Sequence, residues 1–254
     1  MGCYVWNSKN IQYLRDFDIS MTGKLYLIPA PISSEDIAWV LPSAVQQRIA
    51  EIFYFIVEHP KTARQFLRQI NSKYALQELN MQTLNEHTLN KDLLALLGPL
   101  LAGHDVGLLS EAGCPAVADP GAGLIRLAHK NDITVVPLVG PSSILLALMA
   151  SGLNGQCFAF HGYLPIENEA RTSKIMELEK LSINRDQTQI FIEAPYRNQK
   201  LLGQLMSVCS ENTDLCIASH LTFSSELIAT KPIQQWRRSL PDINKIPTIF
   251  LLHG

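Results

Sequence analysis

The chain has 254 residues, 47% of them hydrophobic and 17% charged, and its formal net charge is −2. This composition excludes a fibrous or intrinsically disordered protein, and the near-neutral charge argues against a nucleic-acid-binding surface that is basic throughout. A chain of this length forms one large or two smaller domains.

Cysteine usage and the length of apolar runs indicate the compartment of the protein. The five cysteines are widely spaced and include no C-x-x-C pair, which suits free thiols in a reducing compartment. No apolar run reaches the ~18 residues of a membrane-spanning helix, and the N-terminus lacks the basic-then-apolar order of a signal peptide. We therefore expect a cytoplasmic protein without a membrane segment.

Residues 1–22 are mixed and aperiodic, and we treat them as a leader. Met21 is soon followed by a strand-like apolar run, so Met21 is a candidate for the true start, with the leader a cloning remnant or the product of a misplaced start codon. An ordinary disordered N-terminal arm is an equally open interpretation.

After the leader, short apolar runs alternate with longer helical patterns, which predicts an α/β fold with mostly parallel sheets. The turn formers at Ser151–Gln156 predict a boundary between an N-terminal α/β domain, residues 23–152, and a C-terminal α/β domain, residues 153–254, with a ligand at their junction. The predicted elements, in chain order, are strands Leu25–Ile28 and Ile52–Val57, helices Lys61–Asn71 and Asn90–Leu101, strand Asp105–Leu109, helix Gly123–Lys130, strand Thr134–Val139, helix Ser142–Met149, strand Phe158–His161, helix Ala170–Leu181, strand Gln189–Glu193, helix Asn198–Cys209, strand Asp214–Ser219, helix Ile233–Arg238 and strand Pro247–Leu252.

Three predicted strands end in loops with proline or glycine, at Ile28–Ser33, Leu109–Gly121 and Val139–Ser143. Such loops leave backbone carbonyls and amides available to a ligand. Each loop alone is better explained as an ordinary turn, but three of them at strand ends of one domain favour a binding site. The chain has no Walker loop, and Gly121 and Gly123 lack the third glycine of a dinucleotide-binding motif, which argues against ATP and nicotinamide enzymes of those types.

Five segments, in this order, resemble the tetrapyrrole-methylase-type (class III) S-adenosylmethionine methyltransferases, and within them the ribosomal RNA small subunit methyltransferase I branch. The similarity extends from Lys24 to Gly254, and the second segment is highly specific. The segments are Leu25–Ile32, Ser110–Gly121, Val136–Ser142, Ser151–Leu153 and Gly162–Pro165.

The resemblance implies two α/β domains that hold S-adenosylmethionine in the cleft between them, and a homodimer. It also implies a set of cofactor-binding positions. The implied positions are Pro29, Ser110, Glu111, Ala112, Val117, Ser142 and Ser143 in the N-terminal domain, and Ala194, Leu221, Pro247 and Thr248 in the C-terminal domain.

Glu58 and Arg64 are candidates for facing the methyl acceptor, because Glu58–Arg64 resembles a segment of the ribosomal branch. That branch has an Asp and a Thr where this chain has His59 and Pro60. Capping of the helix that begins here is the alternative interpretation.

Glu193 and Arg197 are further acceptor-facing candidates, in a segment where Tyr196 stands in place of the branch's His. Two roles for Arg197 are equally open, which are binding of a phosphate and pairing with Glu193. His220 replaces a residue of a charged pair in the branch, which weakens the expectation of the same RNA acceptor.

Few other basic residues cluster, and we expect Arg171 and Lys174 to lie on a solvated helix face. Because phosphate affinity grows with the number of Lys and Arg contacts, RNA binding should be weak or local. The seven histidines show no ligand spacing, so we predict no metal site.

The resemblance implies methylation of a cytidine ribose 2′-hydroxyl in ribosomal RNA, with that RNA or the small ribosomal subunit as substrate. Two alternatives stay open: a methyltransferase of the same fold that acts on a tetrapyrrole or another small molecule, and a catalytically silent paralogue that binds the cofactor or RNA. The substitutions at His59, Tyr196 and His220 motivate the second alternative.

Overall fold

A computed structural model describes residues 22–33, 36–85, 87–89 and 91–254. The predictions for the leader lie almost wholly outside these residues. The described chain forms two compact units, the first of residues 22–30 and 41–140 and the second of residues 31–40 and 141–254.

In the described part of the chain, the two units contain ten strands and ten short to medium α-helices. The strands are β1 (Leu25–Ile28), β2 (Tyr54–Val57), β3 (Asn80–Thr83), β4 (Val106–Leu109), β5 (Val135–Pro137), β6 (Phe158–Tyr163), β7 (Thr188–Ile192), β8 (Asp214–Ser219), β9 (Leu227–Pro232) and β10 (Thr248–His253) among the described residues. The helices in the same part of the chain are α1 (Ile37–Val40), α2 (Ser43–Ala50), α3 (Pro60–Gln69), α4 (Leu93–Leu96), α5 (Gly98–Leu101), α6 (Ala122–Lys130), α7 (Ser143–Ser151), α8 (Asn168–Arg185), α9 (Asn198–Val208) and α10 (Ile233–Trp236).

The first unit is built on a five-stranded sheet of order β3-β2-β4-β1-β5 in which every pairing is parallel. Its central strands are continuous apolar runs because helices cover a parallel sheet on both faces. Leu25, Ile56 and Leu108 pack with the buried leucines of α4, α5 and α6. The chain leaves β1 and β4 in opposite directions along the sheet, so a topological switch point lies between these two strands.

The second unit has a five-stranded sheet of order β6-β7-β10-β8-β9. Only β6 and β7 pair in parallel, whereas β7–β10, β10–β8 and β8–β9 are antiparallel, so the expectation of mostly parallel strands is wrong for this sheet. The link from β8 to β9 is too short for the crossover of a dozen or more residues that parallel neighbours require. The α/β fold and the parallel first sheet are confirmed.

Both faces of the second sheet carry a core, because alternate residues of a strand point to opposite faces. Phe191 and Phe250 face the cluster that includes α8 and α9. Ile190 and Ile249 face the other cluster, which includes Leu148 of α7. Helix α7 thus packs within the second unit, although the sequence assigns it to the N-terminal domain. The domain boundary at Ser151–Gln156 itself stays a prediction.

The sequence pattern does not predict β3, β9, α1 or α2. Both strands lie at sheet edges and are only partly buried, so they lack the apolar run on which strand prediction depends. Helix α1 is a single turn, too short to show helical periodicity. None of the described helices has the length and apolar character that crossing a membrane requires.

Arg171 does not lie on a solvated helix face, since its exposed fraction is 1%. It shares the buried face of α8 with Ile175 and Leu178, at helical spacing. Its guanidinium donates hydrogen bonds to Gln204 Oε1 and to the carbonyl of Ile166, so that buried polar groups satisfy it.

Candidate functional site

The carboxyl ends of three neighbouring strands bring predicted site residues to one edge of the first sheet. Pro29 follows β1, Glu58 follows β2 and Ser110 follows β4. Strand β4 lies between the other two and pairs in parallel with both, with Leu109 in register with the last residue of each. Ligands of open α/β sheets bind at this edge, next to the switch point between β1 and β4.

The loop from Ser110 to Gly121 has a fixed and unusual backbone conformation. Gly113 and Ala30 exchange two backbone hydrogen bonds of 2.9 and 3.0 Å, which tie this loop to the loop after β1. Ala116 and Ala118 have φ of 64° and 63°, a region that costs a residue with a β-carbon about 1 kcal/mol or more. Strained backbone of this kind is concentrated at binding sites.

Gly140, in the loop after β5, lies against Pro29. A β-carbon at Gly140 would be 2.5 Å from Cβ of Pro29 and 2.9 Å from Leu41, so only glycine fits. Pro29 itself is buried. Two further predicted cofactor positions of this loop, Ser142 and Ser143, belong to the start of α7 in the second unit.

Glu58 has a perturbed acidity. Burial raises its pKa to about 7, and the negative charges of Asp119 and Glu111 add to the rise, while His59 and the backbone of Glu111 oppose it. Its Oε1 atom is buried and has no hydrogen-bond partner among the described residues. A carboxylate with a pKa near neutrality can accept a proton at physiological pH and release it again.

Asp119 and Ser110 extend this cluster. Burial raises the pKa of Asp119. A hydrogen-bonding contribution from the Ser110 hydroxyl lowers this pKa in part, and the negative charge of Glu111 raises it further. Ser110 is 8% exposed, and its Oγ makes no hydrogen bond of good geometry within the described part of the chain. A buried polar atom in this state is ready to bind a ligand or a water molecule.

Glu111 is exposed and links the loop to the start of α3. Its Oε1 accepts a hydrogen bond of 2.6 Å from Thr62 Oγ1 and lies 3.5 Å from Nδ1 of His59. His59 thus replaces the branch's Asp with a group that attracts the neighbouring carboxylates when it is protonated. Arg64 is half-buried on α3.

Glu58, His59 and Glu111 offer possible metal-ligand atoms within 4.8 Å of one another. This arrangement arises between two chain segments, which spacing along the sequence does not reveal. His59 and Glu111 are exposed, and exposed acidic groups commonly occur without a metal. The expectation of no metal site therefore stays a prediction.

The loop residues fit a cofactor that has both apolar and hydrogen-bonding groups. Val117 is 46% exposed although apolar, and Glu111 and Ala112 of the same loop are also exposed. The Ser110 hydroxyl, which has no partner of good geometry among the described residues, adds a hydrogen-bonding group at the same loop. S-adenosylmethionine matches this mixture because it combines an adenosine and a methionyl part.

Four predicted positions of the second unit lie at one end of its sheet. Strand β10 runs antiparallel to both β7 and β8, so its first residue, Thr248, lies between the carboxyl ends of those two strands. Pro247 precedes Thr248, Ala194 follows β7 and Leu221 follows β8, so all three lie at the same end of the sheet. The backbone N–H of His220 donates to the carbonyl of Pro247. Pro247 is exposed, whereas the side chain of Leu221 is buried in the core, which leaves only its backbone for a ligand.

Arg197 pairs with Glu193 after β7. Nε and Nη2 of Arg197 donate to Glu193 Oε1 over 2.9 and 2.6 Å, and Nη1 donates to the Tyr196 hydroxyl over 2.7 Å. The Glu193 side chain is fully buried, and its Oε2 has no partner among the described residues. The pairing role left open by the sequence is therefore present, and a phosphate role stays a prediction.

Three residues that sequence reasoning does not single out belong to these clusters. Asp119 lies inside the specific Ser110–Gly121 motif, so the sequence points to its segment. The sequence does not show that the charge of Asp119 acts on Glu58. Thr62 lies one helical turn after Glu58, a spacing shared by many surface residues. The third, Tyr163, influences the charge of Arg197. It lies inside the Gly162–Pro165 segment, but its position alongside β7 follows from strand pairing, which that segment does not reveal.

No family model matches the chain. Ribosomal RNA small subunit methyltransferase I of Vibrio cholerae is 29% identical over 238 residues, covering 91% of this chain and 77% of the relative. The protein of the same name from Xylella fastidiosa is 30% identical over 206 residues, covering 80% of this chain and 70% of the relative. That of Escherichia coli O157:H7 is 28% identical over 241 residues, covering 91% and 78%.

Solved structures share the fold at low sequence identity. The methyltransferase CobJ matches with a TM-score of 0.61 and 16% identity, over 92% of this chain and 95% of that one. The cobalt precorrin-4 methyltransferase CbiF matches with a TM-score of 0.58 and 15% identity, over 91% and 94%. These likenesses confirm the class III methyltransferase fold.

Proposed function

Because this chain belongs to the ribosomal RNA small subunit methyltransferase I family and is therefore an S-adenosylmethionine-dependent methyltransferase, we propose that it methylates the ribose 2′-hydroxyl of a cytidine in small-subunit ribosomal RNA. The pKa of Glu58, raised to about 7 at the carboxyl edge of the first sheet, is the observation that carries this proposal. A hydroxyl is a poor nucleophile until its proton is taken, and a base with a pKa near the working pH takes it efficiently.

Each residue of the Glu58 cluster has a role in this proposal. Glu58 accepts the hydroxyl proton, and burial together with Asp119 keeps its proton affinity high. Glu111 and the Thr62 hydroxyl that it binds hold the loop next to Glu58. S-adenosylmethionine, when bound, supplies the methyl group on a sulfonium, so the protein needs to position the reactants and exclude water.

We assign cofactor binding in the first unit to the loops after β1 and β4. The proposed residues are Pro29, Ser110, Glu111, Ala112 and Val117. The buried Ser110 hydroxyl, without a partner of good geometry among the described residues, and the exposed apolar Val117 support this assignment. The positions in the second unit stay predictions from the resemblance. So do the acceptor-facing role of Arg64, the homodimer and the cytoplasmic location.

Methyl transfer to isolated ribosomal subunits tests the proposal. Purified protein and labelled S-adenosylmethionine are incubated with small ribosomal subunits from a strain in which this gene is deleted, and ribose methylation is mapped in the RNA. We expect one methylated cytidine, and none with Glu58→Gln. Binding of S-adenosylhomocysteine, followed by calorimetry, separates loss of the cofactor from loss of the reaction.

Two results would contradict the proposal in different ways. Cofactor binding without methyl transfer to any ribosomal RNA would refute the substrate and favour a silent paralogue or a small-molecule acceptor. Full activity of Glu58→Gln would refute the role of Glu58 as proton acceptor while leaving the substrate intact.

A further inference from the structure

Two exposed tyrosines lie at the end of the second sheet from which Arg197 follows. Tyr163 ends β6 and is 59% exposed, and Tyr196 follows β7 and is 65% exposed. Strands β6 and β7 are parallel neighbours, so their carboxyl ends lie at the same edge. Tyr196 contacts Arg197 through its ring, whose centroid is 5.0 Å from the guanidinium carbon, and through its hydroxyl.

A bulge in β6 determines which way Tyr163 faces. Phe160 is in register with Ile190 and Tyr163 with Ile192, so three steps along β6 match two along β7. Gly162, inside the bulge, has φ of 64°, which favours glycine. The extra residue moves Tyr163 to the opposite face from the one that regular alternation would give it.

Arg197 is held in one orientation. Two of its nitrogens are bound to the fully buried Glu193 carboxylate and a third to the Tyr196 hydroxyl. Hydrogen bonding to Glu193 raises the pKa of Arg197, and the phenol groups of Tyr196 and Tyr163 add to this rise, so both rings are within electrostatic reach. Arg197 and Tyr196 are therefore preorganised rather than brought together on binding.

The chemistry of the cluster selects its ligand. Exposed aromatic rings and a planar guanidinium bind flat aromatic groups by stacking, as in proteins that bind single-stranded nucleic acid. A cationic ligand is disfavoured by Arg197. The exposed Lys200 lies one turn further along the chain, and the N–H of exposed Lys245 donates to the carbonyl of Pro195, so cations for the attached phosphates are close.

We propose that Tyr163, Arg197 and Tyr196 form a stacking platform that binds an unpaired nucleobase of the RNA substrate. The proposal rests on the proposed function, because it requires that the substrate is RNA. It gives Tyr196 a role that does not need the proton chemistry of the His it replaces. It also explains how a chain with a net charge of −2 binds RNA locally, through stacking rather than through many phosphate contacts.

Substitutions that remove or keep the rings test the platform. Tyr196→Ala and Tyr163→Ala should each weaken binding by roughly tenfold to a hundredfold, the usual effect of losing one base-stacking partner, whereas Tyr196→Phe should bind within about threefold of wild type. The probes are small ribosomal subunits from the deletion strain and a short unpaired oligocytidylate that contains 2-aminopurine, whose fluorescence is quenched on stacking. Ile183→Ala, which removes another exposed apolar side chain of the second unit, is the matched control.

The outcomes separate the platform from the proposed function. Retained quenching and affinity in Tyr196→Ala, or equal losses in Tyr196→Phe and Tyr196→Ala, would overturn the platform even if the wild type methylates RNA. A wild type that binds S-adenosylhomocysteine but no RNA would overturn both proposals. Unchanged thermal unfolding and unchanged S-adenosylhomocysteine affinity in the alanine variants show that a loss of RNA binding comes from the missing ring.

Discussion

Neutralising Glu58 should stabilise the protein at alkaline pH while it abolishes catalysis. The folded protein holds the Glu58 proton up to a pKa of about 7, against an ordinary value of 4.5. Relative to the unfolded chain, the contribution of Glu58 to stability is fully present below pH 4.5 and is lost as the pH rises through 7. The variant Glu58→Gln does not titrate and should escape this loss.

The size of the effect follows from the difference between these two pKa values. At ~1.4 kcal/mol per pK unit, the difference corresponds to a ceiling of about 3 kcal/mol above pH 8. Glu58 is only half-buried, and solvent screening lowers the expected gain of Glu58→Gln to about 1–2 kcal/mol at pH 8. Near pH 5 most of this gain should disappear.

Urea unfolding at pH 5 and pH 8 measures this difference. Circular dichroism follows both units. With Trp6 and Trp39 replaced by Phe in every variant, fluorescence of Trp236 follows the second unit alone, so a comparison of the two signals isolates the first unit, which contains Glu58. Glu78→Gln, which removes an exposed carboxylate from the same unit, is the matched control. A stability difference between Glu58→Gln and wild type that is equal at the two pH values would refute the reasoning.

Gly140→Ala should displace Pro29, lower S-adenosylhomocysteine affinity about tenfold in calorimetry and cost about 1–3 kcal/mol of stability in urea; unchanged values of both would contradict the tight contact. Gly203→Ala, in the open interior of α9, should instead raise stability by about 0.5–1 kcal/mol in the same assay, and a loss would show a contact that the structure does not contain. Arg197→Met should cost about 3 kcal/mol because it leaves the buried Glu193 carboxylate without a cation, and the double variant with Glu193→Gln should recover part of this loss. Equal urea midpoints for wild type and Arg197→Met would argue against that pair.

Much of the fold could be predicted because its strands are local apolar runs. Strands β1 and β8 have the predicted bounds, and the other central strands differ from prediction only at their ends. Prediction failed where a strand's burial or direction depends on the neighbouring strands with which it pairs. Edge strands β3 and β9 are only partly buried, and the antiparallel pairing of β10 depends on which neighbours it meets.

The candidate site was predictable in its segments but not in its chemistry. The motif Ser110–Gly121 and the acidic Glu58 stand out in the sequence. Their proximity requires that β2 and β4 be adjacent in a parallel sheet, which no local pattern specifies. The influence of Asp119 on the pKa of Glu58 follows from that adjacency.

The sequence by itself determined which segments are strands, which loops expose backbone, and which family the chain resembles, because these properties depend on residues near one another along the chain. Tertiary structure alone decided the acidity of Glu58, the burial of Arg171 and the face on which Tyr163 lies. Burial and electrostatic interaction depend on distances in space, and pairing between strands brings together residues that are far apart in the chain. A single bulged residue is enough to turn Tyr163 from one face of its sheet to the other.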